Sequence, residues 1–212
     1  MDINSCCSGG VFVAVKVLLT AIPRSGTRWL KDSLGLNFGK IAWATHPDTF
    51  EGQFRSKSRI WAHIPPFPNV LDVVKEQNYY VIYLRRKSIR DQITSYTFHH
   101  GKMRPPPYLV DYQPYTEIQN ATRTMAQFYR LMEPWKGRAN AVIYYEDLCR
   151  NFEDTVFDVC EDLGLDSGKV RERAKKENPQ YIHYGCQGIG QWKKRWTTED
   201  KALYERLFYG IH

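Results

Sequence analysis

The sequence contains no apolar run that is long enough to cross a lipid bilayer. Its longest apolar run, residues 11–22, is interrupted by Lys16. A membrane-spanning helix needs about 20 such residues. The residues before this run carry Asp2 but neither lysine nor arginine, unlike a secretory signal peptide. We therefore expect a soluble, cytoplasmic protein without a membrane span.

Cysteine is scarce, and internal repeats and low-complexity tracts are absent from the sequence. The cysteines are Cys6, Cys7, Cys149, Cys160 and Cys186. Because their spacing does not match a metal site, we expect five reduced thiols and no metal. Hydrophobic residues make up 42% of the chain and charged residues 25%, as in folded globular proteins. This composition excludes disordered and fibrous classes.

The chain is long enough for a folded domain and carries a net positive charge. At 212 residues it can bury a sizeable core, so we expect a single domain over residues 1–212, with residues 1–10 as a frayed N-terminus. The formal net charge of +7 favours anionic partners such as nucleotides, phosphorylated cofactors, nucleic acid or acidic lipid. The lysines and arginines are scattered and no RNA- or DNA-binding motif appears. We therefore expect no nucleic-acid partner.

Strand-like and helical patterns alternate along the chain. The predicted strands are residues 11–22, 59–64, 79–84 and 139–145. The predicted helices are residues 27–36, 69–77, 89–99, 115–135, 152–163 and 199–208, the last capped by Thr198. Residues 37–57 show no clear period. This order predicts an α/β, three-layer fold with a mostly parallel central sheet, its first strand central, flanked by helices. In such folds ligands bind beyond the carboxyl ends of the strands.

The first predicted strand ends in a segment that has the parts of a phosphate-binding loop. A loop that enters a helix N-terminus presents free backbone N–H groups, and Gly26 lets the backbone approach an anion closely. Ser25 and Thr27 add hydroxyl donors, while Arg24 and Arg28 add positive charge. The segment lacks the G-x-x-x-x-G-K-[ST] pattern of a Walker A loop. The alternative is an ordinary turn whose arginines face solvent.

Two further strand ends carry polar side chains. Arg85 and Arg86 leave one buried strand, and Ser95 follows on the next predicted helix. Arginine presents a planar fork of donors that suits phosphate oxygens, although a solvated charge cluster is the alternative. His63 ends the short strand between these two segments. An imidazole, with an ordinary pKa of about 6.5, suits a general base at neutral pH. The alternative is a structural histidine.

Residues 23–29, Pro-Arg-Ser-Gly-Thr-Arg-Trp, resemble the P-[KR]-S-G-T-x-W loop of sulfotransferases. These enzymes use 3′-phosphoadenosine 5′-phosphosulfate (PAPS), and this loop holds its 5′-phosphosulfate. The resemblance implies that Arg24 lies beside the bridging oxygen of the leaving phosphate and that the next four residues, Ser25 to Arg28, bind the 5′-phosphate. It also implies that Trp29 faces the adenine, with a core position as the alternative for this side chain.

The same resemblance assigns roles at the two other strand ends. In the family, an arginine that ends a strand and a serine on the next helix bind the 3′-phosphate, which implies Arg86 and Ser95 here, with Arg85 as the alternative arginine. Residues 61–65 are similar to the family's K-T-H-L-P segment, whose histidine is the general base, which implies that His63 is the base. Trp61 stands in place of the lysine, so either that charge comes from elsewhere, such as Arg28 or Lys193, or the site does without it. His99 and His100 are the rival bases.

The resemblance extends to the later part of the chain and covers residues 17–197. Residues 188–193 resemble the G-x-x-G-x-W-K segment that closes over the 3′-phosphate and adenine, which implies cofactor binding by Gly188 and Lys193. Cys186 and Gln187 replace the Arg-Lys pair of the family, and Lys193, Lys194 or Arg195 are candidates for the missing charge. Residues 144–148 resemble a Y-E-D-L segment, in which we expect Glu146 and Asp147 to brace loops.

We therefore expect a PAPS-dependent sulfotransferase with the P-loop-NTPase-like architecture of that family. It would transfer a sulfuryl group by in-line displacement to a hydroxyl or amine of a small-molecule or glycan acceptor. The product would be 3′-phosphoadenosine 5′-phosphate, and no metal is expected. Residues 36–58 and 100–135 are expected to wall the acceptor pocket. The alternatives are a P-loop-type kinase, which the missing Walker lysine disfavours, and a non-enzymatic nucleotide- or nucleic-acid-binding domain.

Overall fold

The computed structural model describes residues 15–40, 47–99, 117–177 and 189–211. Within these residues, five strands form one sheet. The strands are β1 (Lys16–Ala21), β2 (Gly39–Lys40), β3 (Arg59–Ala62), β4 (Tyr79–Arg85) and β5 (Ala141–Tyr144). The expected frayed segment, residues 1–10, lies outside the described part of the chain.

The sheet is parallel throughout, with the strand order β2-β3-β1-β4-β5. β1 lies at its centre, where Leu18 is paired with Ile60 of β3 on one side and with Val81 of β4 on the other. A central parallel strand is covered on both faces, which explains why β1 reads as a continuous apolar run. The predicted α/β class, the parallel sheet and the central place of its first strand are confirmed.

Helices cover both faces of the sheet. They are α1 (Thr27–Leu34), α2 (Pro47–Ser56), α3 (Pro68–Glu76), α4 (Ile89–His99), α5 (Ile118–Met132), α6 (Tyr145–Arg150), α7 (Phe152–Asp162), α8 (Ser167–Glu177) and α9 (Thr198–Phe208). Short 3₁₀ helices span Glu133–Gly137 and Gln191–Lys194.

Alternate residues of the strands enter two separate cores, because successive side chains of a strand point to opposite faces. Leu18 and Val81 pack with α3, α4, α5 and α9, whereas Leu19 and Ile82 pack with α1, α6, α7 and α8. Two apolar cores on either side of one sheet make the three layers that the alternation of strands and helices predicts. No helix within the described ranges has both the length and the apolar character needed to cross a membrane.

The structure differs from the sequence-based prediction at several short elements. Residues 37–57, which show no clear period, contain β2 and α2, and α6 and α8 were not predicted. Thr198 is not the cap of the last helix but its first residue. Thr197 is the N-cap, because its hydroxyl accepts from the Asp200 backbone N–H while the Asp200 carboxylate accepts from the Thr197 N–H.

The expectation that all five cysteines are reduced is wrong at Cys149, which is disulfide-bonded. Cys6, Cys7 and Cys186 lie outside the described residues. Cys160 is a free, buried thiol, and burial raises its pKa. Disulfides are more common in oxidising compartments than in the cytosol, so the cytoplasmic location stays a prediction.

Candidate active site

The loop between β1 and α1 has a backbone shape that demands glycine. Arg24 and Gly26 both have positive φ angles, of 67° and 84°. A Cβ at position 26 would lie 2.5 Å from Cδ2 of Tyr145, so a side chain there would collide with the ring. No side-chain hydrogen bond caps the start of α1 at Gly26. The first N–H groups of α1 therefore stay available to an anion.

Both hydroxyl residues of this loop are buried. Ser25 is fully buried, and Thr27 is 8% exposed. The Oγ1 atom of Thr27 has no hydrogen-bond partner among the described residues. Burying a hydroxyl without a partner is costly, so an orphaned hydroxyl at a helix N-terminus indicates a place where a ligand supplies the partner. Arg28, by contrast, is exposed on α1.

The first loop and α4 are joined by a direct hydrogen bond. Nε of Arg24 donates to Oγ of Ser95 over 3.2 Å. This contact brings together residues from the first and third strand ends, which lie 71 positions apart in the chain. Parallel strand order explains the meeting, because β1 and β4 are neighbours and end at the same edge of the sheet.

Sequence reasoning missed Gln92, which is fully buried in α4 behind the loop. Its Nε2 donates to the carbonyl of Pro23 and to Oγ of Ser25, the latter over 2.9 Å. Its Oε1 accepts from the hydroxyl of Tyr129. One feature of the sequence pointed to it: Gln92 lies on the same helix face as Ile89 and Tyr96, where an apolar residue is expected.

Arg85 and Arg86 are both buried, but among the described residues only Arg85 has an acidic partner. Nη1 of Arg85 donates to both carboxylate oxygens of Glu133, each over 2.9 Å. Burial lowers the pKa of Arg85, but the neighbouring Tyr83 and the bond to Glu133 outweigh that effect and raise it overall. Arg86 is 6% exposed and makes no ion pair within the described ranges.

The guanidinium of Arg86 lies over the ring of Tyr145, with Cζ 4.2 Å from the ring centroid. Its Nε has no hydrogen-bond partner in the described part of the chain, and neither has Nε of Arg85, so the two arginines differ in the ion pair with Glu133. A buried cation without a counter-ion is expensive, so this arginine marks a site for an anion more clearly than its neighbour does. Tyr145 also closes the space beside Gly26, so the loop and Arg86 flank one aromatic ring.

Glu146 and Asp147 brace the segment that follows β4, as predicted. The buried carboxylate of Glu146 accepts from the backbone N–H groups of Lys87 and Ser88, over 2.8 and 3.1 Å. Asp147 forms an ion pair with Nζ of Lys87. Both acidic residues lie in the first turn of α6 rather than at a strand end. Their carboxylates are used in holding the backbone that carries Arg86.

His63 follows β3, at the same edge of the sheet as the first loop. Its Nδ1 lies 2.5 Å from the carbonyl oxygen of Ala21. A carbonyl only accepts, so Nδ1 carries a proton, and in a neutral ring the lone pair is then on Nε2. The ring of Trp61 meets the imidazole edge to face, with 5.7 Å between centroids. His99 ends α4 but its side chain is not described, and His100 lies outside the described residues.

The late segment is held against α4 by Asp91, a second buried residue that sequence reasoning did not single out. Its carboxylate accepts from the backbone N–H of Gly190 over 2.8 Å and from the Ser88 hydroxyl. The guanidinium of Arg90 stacks on the Trp192 ring. Lys193 and Lys194 are exposed in this segment. Gly188, Cys186 and Gln187 lie outside the described residues.

Trp29 lies in the core beneath α1. It is 4% exposed, and its Nε1 donates to the carbonyl of Ala174 over 3.2 Å. Its ring contacts those of Tyr145 and Phe152. This geometry favours the core position that was the alternative for Trp29, and an adenine contact stays a prediction.

Comparisons with known proteins match the chain to a family and to solved structures. The family model described as Sulfotransferase domain matches residues 15–182. The structure is similar to that of mouse sulfotransferase SULT7A1 complexed with PAP, with a TM-score of 0.62 and 18% identity over 93% of this chain and 84% of that chain. No curated protein matches the chain.

Two structures of retinol dehydratase are similar at 15% identity, and each match covers 92% of this chain and 80% of that chain. One is a complex with retinol and PAP, with a TM-score of 0.58, and the other a complex with androsterone and inactive cofactor PAP, with a TM-score of 0.59. At such identities the solved structures share the fold of this chain. Because the family model covers most of its length, the chain belongs to the sulfotransferase domain family, whose members are sulfuryl-transferring enzymes.

Proposed function

We propose that this protein transfers a sulfuryl group from PAPS to a hydroxyl or amine of a small-molecule or glycan acceptor, at the carboxyl edge of β1, β3 and β4. The observation that carries the proposal is that two of the five buried side-chain atoms without a hydrogen-bond partner among the described residues, Thr27 Oγ1 and Arg86 Nε, belong to residues that follow the carboxyl ends of β1 and β4. They lie on elements that flank the Tyr145 ring. Two such groups on different strand ends suit a ligand that has anionic groups at both ends.

The loop between β1 and α1 is suited to the 5′-phosphosulfate. It combines a helix N-terminus, the hydroxyls of Ser25 and Thr27, and the charge of Arg24. Together these donors surround an anion with hydrogen bonds, and the orphaned Thr27 hydroxyl gains the partner that it lacks. PAPS, when bound, supplies the transferred sulfuryl group and its leaving phosphate.

Arg86 and Ser95 are suited to the 3′-phosphate. The ion pair with Glu133 occupies Arg85, so Arg86 is the better candidate of the two adjacent arginines. Ser95 lies on α4, and its Oγ accepts from Nε of Arg24, so a 3′-phosphate bound by Ser95 would lie beside the first loop. Serine and arginine then hold one phosphate from two elements, which gives selectivity for a nucleotide phosphorylated at the 3′ position.

Arg24 and His63 are the groups that we assign to the transfer itself. Negative charge develops on the leaving phosphate as the S–O bond breaks, and the fixed cation of Arg24 stabilises that charge. His63 accepts the proton of the acceptor at Nε2, while its Nδ1–H stays bonded to Ala21. Trp61 stands in place of the family lysine, and Arg28 and Lys193 stay the candidates for its charge.

Binding of adenosine nucleotides tests this proposal without an identified acceptor. We expect 3′-phosphoadenosine 5′-phosphate to raise the melting temperature more than AMP or ATP at equal concentration, because only it engages both anion sites. Arg86→Ala should remove most of the difference, while the control Arg206→Ala, an exposed arginine on α9, should keep it. Equal shifts for all three nucleotides would contradict the two-site proposal. If Arg85→Ala removes the difference between the nucleotides and Arg86→Ala does not, Arg85 is the residue that binds the 3′-phosphate.

The acceptor can be sought directly. Incubation of the protein with PAPS and a panel of hydroxylated and amine-containing small molecules and oligosaccharides, followed by mass spectrometry, should reveal an added sulfuryl group. Small apolar alcohols belong in the panel because similar structures were solved with retinol and androsterone. If no compound is sulfated by a protein that binds 3′-phosphoadenosine 5′-phosphate, the proposed transfer to such acceptors is wrong.

A further inference from the structure

The side-chain amide of Gln92 makes hydrogen bonds within the core through both its nitrogen and its oxygen. Nε2 donates to the Pro23 carbonyl and to Oγ of Ser25, and Oε1 accepts from the hydroxyl of Tyr129. Gln92 and Tyr129 are both fully buried. Water therefore does not compete for these bonds, and the three groups form a closed chain from α5 through α4 to the first loop.

The direction of every bond in this chain follows from one fixed acceptor. The Pro23 carbonyl can only accept, so the NH₂ group of Gln92 must face it. The amide oxygen then faces Tyr129, whose hydroxyl must donate. Burial raises the pKa of Tyr129 well above its ordinary value, so this hydroxyl keeps its proton under all working conditions.

The bond from Gln92 also determines where the Ser25 hydroxyl can donate its hydrogen. Its oxygen accepts a hydrogen from Gln92, so its own hydrogen is directed elsewhere. Ser25 lies between Arg24 and Gly26, in the loop whose N–H groups begin α1. Because the Ser25 oxygen accepts from Gln92, its hydrogen points away from Gln92. We infer that this hydrogen is donated to an anion bound in the loop.

We propose that Gln92, locked by Tyr129, is a positioning residue that presets the Ser25 hydroxyl as a donor to the anion bound by the first loop. The inference rests on the proposed function, since it takes that anion to be the 5′-phosphate of the nucleotide. It assigns α5 a part in cofactor binding, although Tyr129 lies two hydrogen bonds away from Ser25. Preorganisation of this kind lowers the ordering cost of binding rather than adding a contact.

Tyr129→Phe is the mildest test because it removes one hydroxyl and keeps the ring. We expect the dissociation constant for 3′-phosphoadenosine 5′-phosphate, measured by calorimetry, to rise about threefold to tenfold, as for one lost hydrogen bond. Tyr83→Phe is the matched control: Tyr83 is equally buried, and its hydroxyl has no hydrogen-bond partner among the described residues. The control should keep the wild-type affinity.

A double-mutant cycle separates positioning from a general structural effect. In a Ser25→Ala background there is no hydroxyl to orient, so Tyr129→Phe should change the dissociation constant by less than about twofold. A merely structural role would weaken binding equally in both backgrounds. Gln92→Leu, if it folds, should show the same dependence on Ser25 with a larger loss in the wild-type background.

The outcomes distinguish this inference from the proposed function. If the wild-type protein binds 3′-phosphoadenosine 5′-phosphate and the two substitutions are additive, the positioning role is wrong while the proposed function stands. If Tyr83→Phe weakens binding as much as Tyr129→Phe, the effect belongs to the core and the inference is also wrong. If the wild-type protein does not bind this nucleotide, both proposals fall together.

Discussion

At the scale of single residues, the candidate site is defined by which polar atoms have partners. Arg85 and Arg86 are neighbours in the chain, but Glu133 neutralises only the first. Glu133 lies 48 positions away, so no local pattern could distinguish the two arginines. The loop itself was predictable from the sequence. Its backbone has a positive φ at Gly26, which favours glycine, and anion binding favours hydroxyl residues beside it.

The role of His63 as general base can be tested by substitution. We expect His63→Ala to lower kcat by about 10²–10⁴-fold, the usual contribution of a general base, while binding of 3′-phosphoadenosine 5′-phosphate stays nearly unchanged. The wild-type kcat should also fall as the pH is lowered, because a protonated Nε2 cannot accept the acceptor's proton. Normal turnover in His63→Ala, with loss in His99→Ala or His100→Ala, would move the base to one of those residues.

At the scale of elements, long periodic segments were predictable and short ones were not. α1, α3, α4, β1 and β4 follow the predicted segments because each has an apolar face or run that its neighbours bury. β2 has two residues and α6 has six, too few to display a period. α8 buries only Val170 and Ala174 fully, so its highly charged sequence lacked an apolar stripe.

The close contact between Gly26, in the turn between β1 and α1, and Tyr145 of α6 can be tested by substitution. In Gly26→Ala the new Cβ must displace the Tyr145 ring, on which Arg86 rests, so we expect nucleotide affinity and melting temperature both to fall. Gly164→Ala is the matched control, since Gly164 also has a positive φ but its Cβ would meet nothing within 4 Å. Backbone strain of about 1–2 kcal/mol is common to both variants. Equal effects of the two substitutions on nucleotide affinity would contradict the role of the Tyr145 contact.

At the scale of the whole molecule, one of the two cores contains buried tyrosines that resist ionisation. Burial raises the pKa of Tyr79 to about 12 and raises those of Tyr83 and Tyr129 as well. An unfolded tyrosine has a pKa of about 10. Above that pH the unfolded chain loses protons that the folded chain keeps. The contribution to stability is therefore complete below about pH 10 and is lost as the pH rises toward 12.

Chemical unfolding at a series of alkaline pH values tests this expectation. The free energy of unfolding should fall as the pH rises above about 10, and the share of the tyrosinate absorbance that comes from the buried tyrosines should appear only as the protein unfolds. Tyr79→Phe should flatten the dependence on pH, whereas Tyr209→Phe should not, because Tyr209 is 91% exposed. Parallel pH curves for the wild type and Tyr79→Phe would show that Tyr79 does not contribute.

The central place of β1 has a consequence for how the chain is made. β1 is synthesised before both of its partners, β3 at residues 59–62 and β4 at residues 79–85. On the ribosome this apolar strand has no correct neighbour until β3 has emerged, and one of its edges stays unpaired until Arg85 has emerged. Exposed strand edges invite pairing with other chains. The early nascent chain is thus the form in which this protein is most exposed to aggregation and in which a chaperone is of most use.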